Sequence, residues 1–394
     1  MIKKVIMVTM SAVLIIGGLA SCKKTETVAA YRLGVVVAQT GSYAGLGLQF
    51  LEGMDLMVDE VNEAGGINGI PLDVIVYDNK SEATETTLAA KKLIDVDQVH
   101  VLIEGTVTAL GMSIVPLANE EGVPTVILSG TGLLDDQLGA WVFRPAGTED
   151  NYIVKSLDYM SQEMGISQYA TLIENSGYGQ GGMVYLPQRS PDYGMTIVDE
   201  QYFDPGATDL TPQLTNIKNS TAQLIYVWGS SPTAGLAVKQ ARELGISLPI
   251  MATPPQVMPN MLASFEEAYE MEPPLLATTT KMDIWEQLPD SDRYKELSRD
   301  FVQLFMERYD HPPSLWQMLG AQYITFIEDG LKRAEITTTD VGEIRSQLRD
   351  ALESTEGLQL LTSVYTMSPE DHFGQVEQTL VMITFENGEM VYLR

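Results

Sequence analysis

Gly177-Tyr178-Gly179-Gln180-Gly181-Gly182 carries glycines at the first, third and sixth places of a G-x-G-x-x-G run, and Asp199 and Glu200 follow it. Between a strand and a helix, such a run lets backbone N–H groups cradle a pyrophosphate, while an acid about twenty residues on takes the ribose hydroxyls. That chemistry would make the chain an NAD-dependent dehydrogenase. Two features argue against it. The run lies deep in the chain and not in a first βαβ unit, and Tyr178 stands between the first two glycines, where a phosphate has to approach. A tight strand-to-helix turn accounts for the same residues.

Other reactive constellations are missing. His100, His311 and His372 stand far apart, without the spacing that places two imidazoles or an imidazole and a carboxylate on one metal. No G-x-S-x-G elbow occurs, and the single cysteine, Cys22, stands near the beginning of the chain, so acyl-transfer nucleophiles have no support. The expectation is a protein without catalysis, cofactor or metal. What remains is a set of small hydroxyl residues beside glycines: Gly105-Thr106-Val107-Thr108 and Ser129-Gly130-Thr131-Gly132. At the carboxyl ends of parallel strands, such residues and the free N–H groups of the following helices can hold a carboxylate. Helix capping without any ligand explains them equally well, and the two readings stay open.

The elements that would position these groups alternate between apolar β-rich runs and amphipathic stretches. Leu33–Gln39, Leu72–Asn79, Val99–Gly105 and Val123–Ser129 read as buried strands. In the first helix Leu51, Met54, Val58 and Val61 fall on one face, and Gly65-Gly66 ends it. After Trp141–Pro145 the rhythm restarts, with strands at Tyr169–Glu174, Met195–Tyr202, Leu224–Gly229 and Pro249–Ala252 and helices near Gly181–Tyr193, Asp209–Ser220 and Thr233–Leu244. Two such series predict an α/β protein of two doubly wound parallel-sheet lobes. Long helices at Asp292–Tyr309 and Leu315–Arg333 break the rhythm, which predicts a return to the first lobe.

Residues 1–21 read as a secretory signal, with Lys3 and Lys4 before an apolar run that is short for a membrane span. Leu19-Ala20-Ser21-Cys22 resembles a bacterial lipoprotein box, so Cys22 is the expected lipid anchor and residues 22–30 its tether. With Cys22 so used, no disulfide and no cysteine-based metal site is expected in the mature domain. The formal charge is −29, and removing residues 1–21 makes it two charges more negative still. With no basic stripe, nucleic acid is excluded as a partner. The acid excess reads as a solvated surface.

From Leu33-Gly34-Val35-Val36-Val37 with Thr40-Gly41, through Val61-Asn62-Glu63-Ala64-Gly65-Gly66-Ile67-Asn68-Gly69, Gly122-Val123-Pro124, Tyr178-Gly179-Gln180-Gly181 and Gln213-Leu214 with Ile217-Lys218, to Gln240-Ala241-Arg242-Glu243-Leu244-Gly245, the order and spacing resemble the type I periplasmic solute-binding proteins of the branched-chain amino-acid (leucine/isoleucine/valine) transport group. The resemblance implies an extracytoplasmic lipoprotein, in the periplasm or at the cell surface, whose lobes are joined by a three-crossing hinge and close over a small ligand for delivery to an ABC transporter permease. The implied lobes are residues 31–147 with 277–362 and residues 148–276 with 363–394. A ligand-sensing receptor module of the same fold is the alternative.

Carried over by position, the resemblance places ligand contacts at Thr106, Ser129, Gly130 and Thr131 in the first lobe, at Tyr178 in the second, and at Trp316 as an aromatic wall. Ordinary packing is the competing reading for Tyr178 and Trp316. The family's amino-acid binders carry an acid on the loop after the fourth strand of the second lobe, but here that loop reads Ala252-Thr253-Pro254-Pro255-Gln256. A buried ammonium without a carboxylate partner is costly, so the expected cargo shifts from an α-amino acid toward an amide or an organic acid. Thr253 or Gln256 would then take the acid's place. Leu46 before Gly47 stands where an aromatic is common, which predicts an aliphatic wall.

Overall fold

The computed structural model describes residues 28–129, 137–257, 262, 265, 272–273, 275–377 and 379–393. The signal segment, Cys22, Gly130 and Thr131 lie outside the described residues.

In chain order the elements are β1 (Tyr31–Val37), α1 (Ala44–Glu63), β2 (Leu72–Asp78), α2 (Ala83–Asp95), β3 (Val101–Glu104), α3 (Thr108–Glu121), β4 (Thr125–Ile127), β5 (Val142–Phe143), α4 (Glu149–Gln162), β6 (Gln168–Glu174), α5 (Gly177–Arg189), β7 (Thr196–Phe203), α6 (Thr211–Lys218), β8 (Ile225–Trp228), α7 (Pro232–Glu243), β9 (Ile250–Ala252) and β10 (Leu275–Thr280). Then come α8 (Arg293–Tyr309), α9 (Leu315–Arg333), α10 (Val341–Glu353), the short β11 (Leu358–Gln359) and β12 (Val364–Tyr365), and a hairpin of β13 (Leu380–Glu386) and β14 (Glu389–Tyr392).

The first lobe holds a five-stranded parallel sheet in the order β2-β1-β3-β4-β5. Its strands are apolar on both sides because both faces are covered. Phe50, Met54, Ile324 and Ile327 of α1 and α9 pack on one face, and Leu93, Ile94, Ile114 and Val115 of α2 and α3 on the other. The α1–α9 crossing is close: a Cβ on Gly53 would fall 1.8 Å from the Gln317 carbonyl oxygen, and one on Gly320 would fall 2.1 Å from that of Phe50.

The second lobe is built the same way around a seven-stranded sheet in the order β14-β13-β10-β9-β8-β6-β7. Leu214, Val238 and Ala241 cover one face, and Ile153, Leu157 and Leu186 the other. Two doubly wound α/β lobes are therefore present, as expected. The second sheet is not wholly parallel, since β13 runs antiparallel to β10 and β14 antiparallel to β13.

Two segment boundaries fall elsewhere than expected. Residue 277 lies inside β10, which pairs with β9 and β13 of the second sheet, so the chain returns to the first lobe only after Leu288, itself in the second lobe's core. Residue 363 adjoins β12, whose Tyr365 packs in the first lobe's core, and the chain re-enters the second sheet only with β13. An apolar run announces a strand locally, whereas the sheet that accepts it is decided by distant partners. The crossings are tied together: Glu377 accepts from the Tyr294 hydroxyl (2.9 Å) and pairs with Arg293, and Asn151 bonds Gln375. Among the described residues no helix is long and apolar enough to cross a membrane.

Candidate functional site

The carboxyl ends of both sheets face a half-open cavity between the lobes. This is where an open parallel sheet offers a ligand its strand ends and helix N-termini. Val107, Thr108, Leu128 and Ser129 line it from the first sheet's end, Leu315, Trp316 and Leu319 from α9, Ala146 and Gly147 from the first crossing, and Tyr152, Tyr178, Ser230, Pro254 and Pro255 from the second lobe.

Helix starts concentrate here. No side chain caps α3, whose first residue, Thr108, is on the wall. Across the gap is the start of α5, close enough that a Cβ on Gly177 would come within 3.9 Å of the Ala109 nitrogen. Ser176 caps α5 through the Gly179 N–H (3.1 Å), and Thr148 caps α4 through the Asn151 N–H (3.2 Å). Helix N-termini carry partial positive charge and unpaired N–H groups, so their convergence favours an anion.

Two wall hydroxyls stand out because, among the described residues, none holds them. The Ser129 hydroxyl is buried without a partner, and so is the Tyr178 hydroxyl. A buried polar atom is almost always bonded, and an unpaired one costs about 1–3 kcal/mol, so these two invite an explanation from outside the chain. Burial pushes the Tyr178 phenol well above its usual range, and the Glu149 charge adds to this; the hydroxyl therefore stays protonated and able to donate. Thr253 is near enough to oppose that rise, yet no hydrogen bond of acceptable geometry joins the pair. The Tyr178 ring is fixed by stacking on Trp228 at 5.3 Å, and the Trp228 indole N–H donates to the Tyr178 carbonyl (3.0 Å). Ser129 is fixed through its carbonyl, which accepts from the buried Arg144 guanidinium (3.0 Å).

The sequence-derived candidates divide accordingly. Ser129, Tyr178 and Trp316 meet at the cavity. The Trp316 indole N–H donates to the Thr106 carbonyl (3.1 Å), so its ring is a fixed wall. Thr106 itself does not line the cavity: its hydroxyl accepts from the Ala38 N–H (3.1 Å), and its own N–H donates to the buried carboxyl of Glu104 (3.0 Å). Thr253 and Gln256 also face inward. The Thr253 hydroxyl donates to the Gly229 carbonyl (3.2 Å), and the Gln256 side-chain oxygen accepts from the Thr253 N–H (3.2 Å), leaving Pro254 and Pro255 as the wall. Leu46 is buried in the first lobe's core and is not on the wall.

Sequence reasoning passed over Tyr152 and Ser230. Tyr152 lies on α4, where Tyr152, Ile153, Leu157 and Met160 show a helical spacing after Thr148-Glu149-Asp150 that could have revealed it. Ser230 lies in Gly229-Ser230-Ser231-Pro232, a strand-to-helix link of the type singled out in the first lobe. Its hydroxyl leans on the buried Glu174 carboxylate (3.4 Å), which also accepts from the Ser231 N–H (2.9 Å).

The glycine-rich run serves packing. A Cβ on Gly179 would fall 1.8 Å from the Glu174 carbonyl oxygen, and one on Gly182 would fall 2.7 Å from the Trp228 ring. Those glycines seat α5 against β6 and β8. Among the described residues no cluster of His, Cys, Asp and Glu has the arrangement of a metal site.

Comparison with known proteins agrees with this geometry. The periplasmic binding protein family matches residues 30–389. An amino acid binding protein of Pseudomonas aeruginosa is 25% identical over 229 residues, 58% of this chain and 61% of the relative, so the match spans about three-fifths of that relative's length. The branched-chain amino acid transporter substrate-binding protein LivJ of Streptococcus pneumoniae, solved with isoleucine, superposes with a TM-score of 0.78 at 22% identity, covering 92% of this chain and 100% of that one. An ABC transporter solute-binding protein of Rhodopseudomonas palustris, solved with 3,4-dihydroxybenzoic acid, gives 0.77 at 18% identity, covering 93% and 97%.

Proposed function

This chain belongs to the periplasmic binding protein family, and on that premise we propose that it is an extracytoplasmic solute-binding protein that closes its lobes over a small organic carboxylate and presents it to an ABC transporter permease. Cys22 would be the lipid anchor that keeps the domain at a membrane surface. The observation that carries the ligand class is the pair of unpartnered buried hydroxyls, Ser129 and Tyr178, beside the uncapped start of α3. Both can donate to a carboxylate, and a charge-assisted bond repays the cost of their burial in the empty site.

The relatives bind either an amino acid or an aromatic acid, by their descriptions. The wall here favours the second type, because none of the described residues lining it is acidic and so none offers an ammonium group a partner. Trp316 and Tyr178 would sandwich the apolar body while the first lobe grips the carboxylate, and closure about the three crossings would bring Tyr178 into contact. Such a protein needs no catalytic group.

A thermal-shift screen of the purified protein tests this, with branched-chain amino acids, benzoate-type acids, aliphatic acids and their amides as ligands. At 100 times its dissociation constant a ligand stabilises by about 2.7 kcal/mol. Shifts with monocarboxylates and none with their amides are expected. A shift with leucine, isoleucine or valine alone would overturn the ligand class, and a shift with NAD alone would overturn the binding-protein reading.

A further inference from the structure

A second cavity lies beside the one described above. Pro254 and Leu315 line both cavities, so the two share a wall. Both chambers are walled mostly by apolar groups, and they differ in whether their polar groups are already bonded. Val257, Met282, Trp285, Val302, Pro313 and Met390 give the second an apolar wall contributed by both lobes.

Its polar groups are already engaged. The Asp283 carboxylate accepts from the Thr279 hydroxyl (2.5 Å), the Thr280 hydroxyl (2.8 Å) and the Thr280 N–H (3.2 Å). The Ser314 hydroxyl donates to the Gln49 side chain (2.7 Å), and the Ser314 N–H to that of Gln317 (2.6 Å). The first chamber holds unpaired hydroxyls; the second, among the described residues, has no buried polar side-chain atom without a partner.

A head site with unpaired hydroxyls, next to a site whose polar side chains are already bonded and whose remaining wall is apolar, suits an amphipathic ligand. We propose that the cargo is a monocarboxylic acid with an extended aliphatic or arylalkyl tail, its carboxylate at Ser129 and Tyr178 and its tail running past Pro254 and Leu315 into the second chamber. This rests on the carboxylate reading above and names its ligand class more narrowly. Asp283 at the tail end disfavours a second carboxylate there.

Isothermal titration of the purified protein with the straight-chain series from butanoate to octanoate, with phenylalkanoates and with octanedioate, tests the proposal. Burial of each added methylene is expected to raise affinity about fourfold. Octanedioate should bind at least about tenfold more weakly than octanoate, as an unpaired charge beside Asp283 requires. Met390 is half-buried on the edge hairpin, where a larger aromatic can be accommodated, and Met390→Trp is expected to cut the octanoate-to-butanoate affinity ratio at least about tenfold by filling the chamber.

If the short acids bind and affinity falls or stays flat as the chain lengthens in the unaltered protein, the two-chamber proposal is overturned while the carboxylate reading stands. A ratio unmoved by Met390→Trp in a folded variant would overturn it too. If no carboxylate of any length binds, both readings fall.

Discussion

Tyr178→Phe separates a ligand contact from a packing residue, because the two roles predict opposite signs in the empty protein. The change removes one oxygen and leaves the ring, its stack on Trp228 at 5.3 Å and the backbone bond to the Trp228 indole in place. In the unliganded molecule that oxygen is buried and unpaired. Deleting it relieves a desolvation penalty of about 1–3 kcal/mol, so the empty variant is expected to be more stable than the parent. Spread over the unfolding entropy of a chain this long, the gain corresponds to roughly 1–4 °C in Tm. With ligand present the sign reverses. A hydrogen bond to a charged acceptor contributes about 1.5–3 kcal/mol, so the variant's Kd for a bound carboxylate should rise roughly 10- to 150-fold. Differential scanning calorimetry with and without ligand reads both effects on one sample. A lower Tm for the empty variant, with an unchanged ligand-induced shift, would refute the reasoning, since the hydroxyl would then be paired inside the protein and uninvolved in binding.

Two further expectations concern the scaffold. Gly53→Ala places a methyl 1.8 Å from the Gln317 carbonyl oxygen, which forces α1 and α9 apart and should cost about 1–3 kcal/mol in urea denaturation, whereas Gly45→Ala, with nothing within 4 Å, should stabilise by about 0.5–1 kcal/mol. His100 is buried with its Nδ1 accepting from the Arg32 N–H, and burial, helped by Arg32 and Arg345, lowers its pKa to about 4. Because the unfolded chain takes up this proton near pH 6.5 and the folded one does not until about 4, His100 should remove stability as pH falls through that window. His100→Gln should flatten that part of a stability profile measured by urea unfolding, and an unchanged slope would remove His100 from the account.

Much of the architecture was legible because it rests on local pattern. Strands covered on both faces must be nearly continuous apolar runs, and β1, β3 and β8 are such runs. Helix starts were less legible. α5 begins at Gly177, within the glycine run and ahead of the expected Gly181, because Ser176 caps it and glycines let it sit against β6 and β8. α4 was passed over because lysine, serine and aspartate interrupt its apolar face. The lobe assignment of β10 was beyond local pattern altogether: Leu275–Thr280 reads as a strand in any context, and its pairing with β13, over a hundred residues later in the chain, decides which sheet it joins.

The site shows the same limit more sharply. Thr106, Ser129 and Thr253 are all small hydroxyl residues at the ends of parallel strands, and the sequence gives each an equal claim to a ligand. Their difference lies in whether the fold has already used the hydroxyl. Thr106 accepts from Ala38 and Thr253 donates to Gly229, while Ser129, among the described residues, has its carbonyl engaged by Arg144 and its hydroxyl unpaired at the cavity wall. Each engagement joins residues more than ten positions apart in sequence, so no reading of the local run can detect it. By the same criterion Thr253 and Gln256, expected to take the absent acid's place, have their polar side-chain atoms bonded within the chain. Both are polar and both lie in the right loop, but the tight turn that places Pro254 and Pro255 on the wall directs their side chains back to the backbone. In the reading proposed above a binding residue is identified by a hydrogen bond it has not made, and by that measure Ser129 and Tyr178 are, among the described residues lining the cavity, the two candidates for which a ligand would supply the partner.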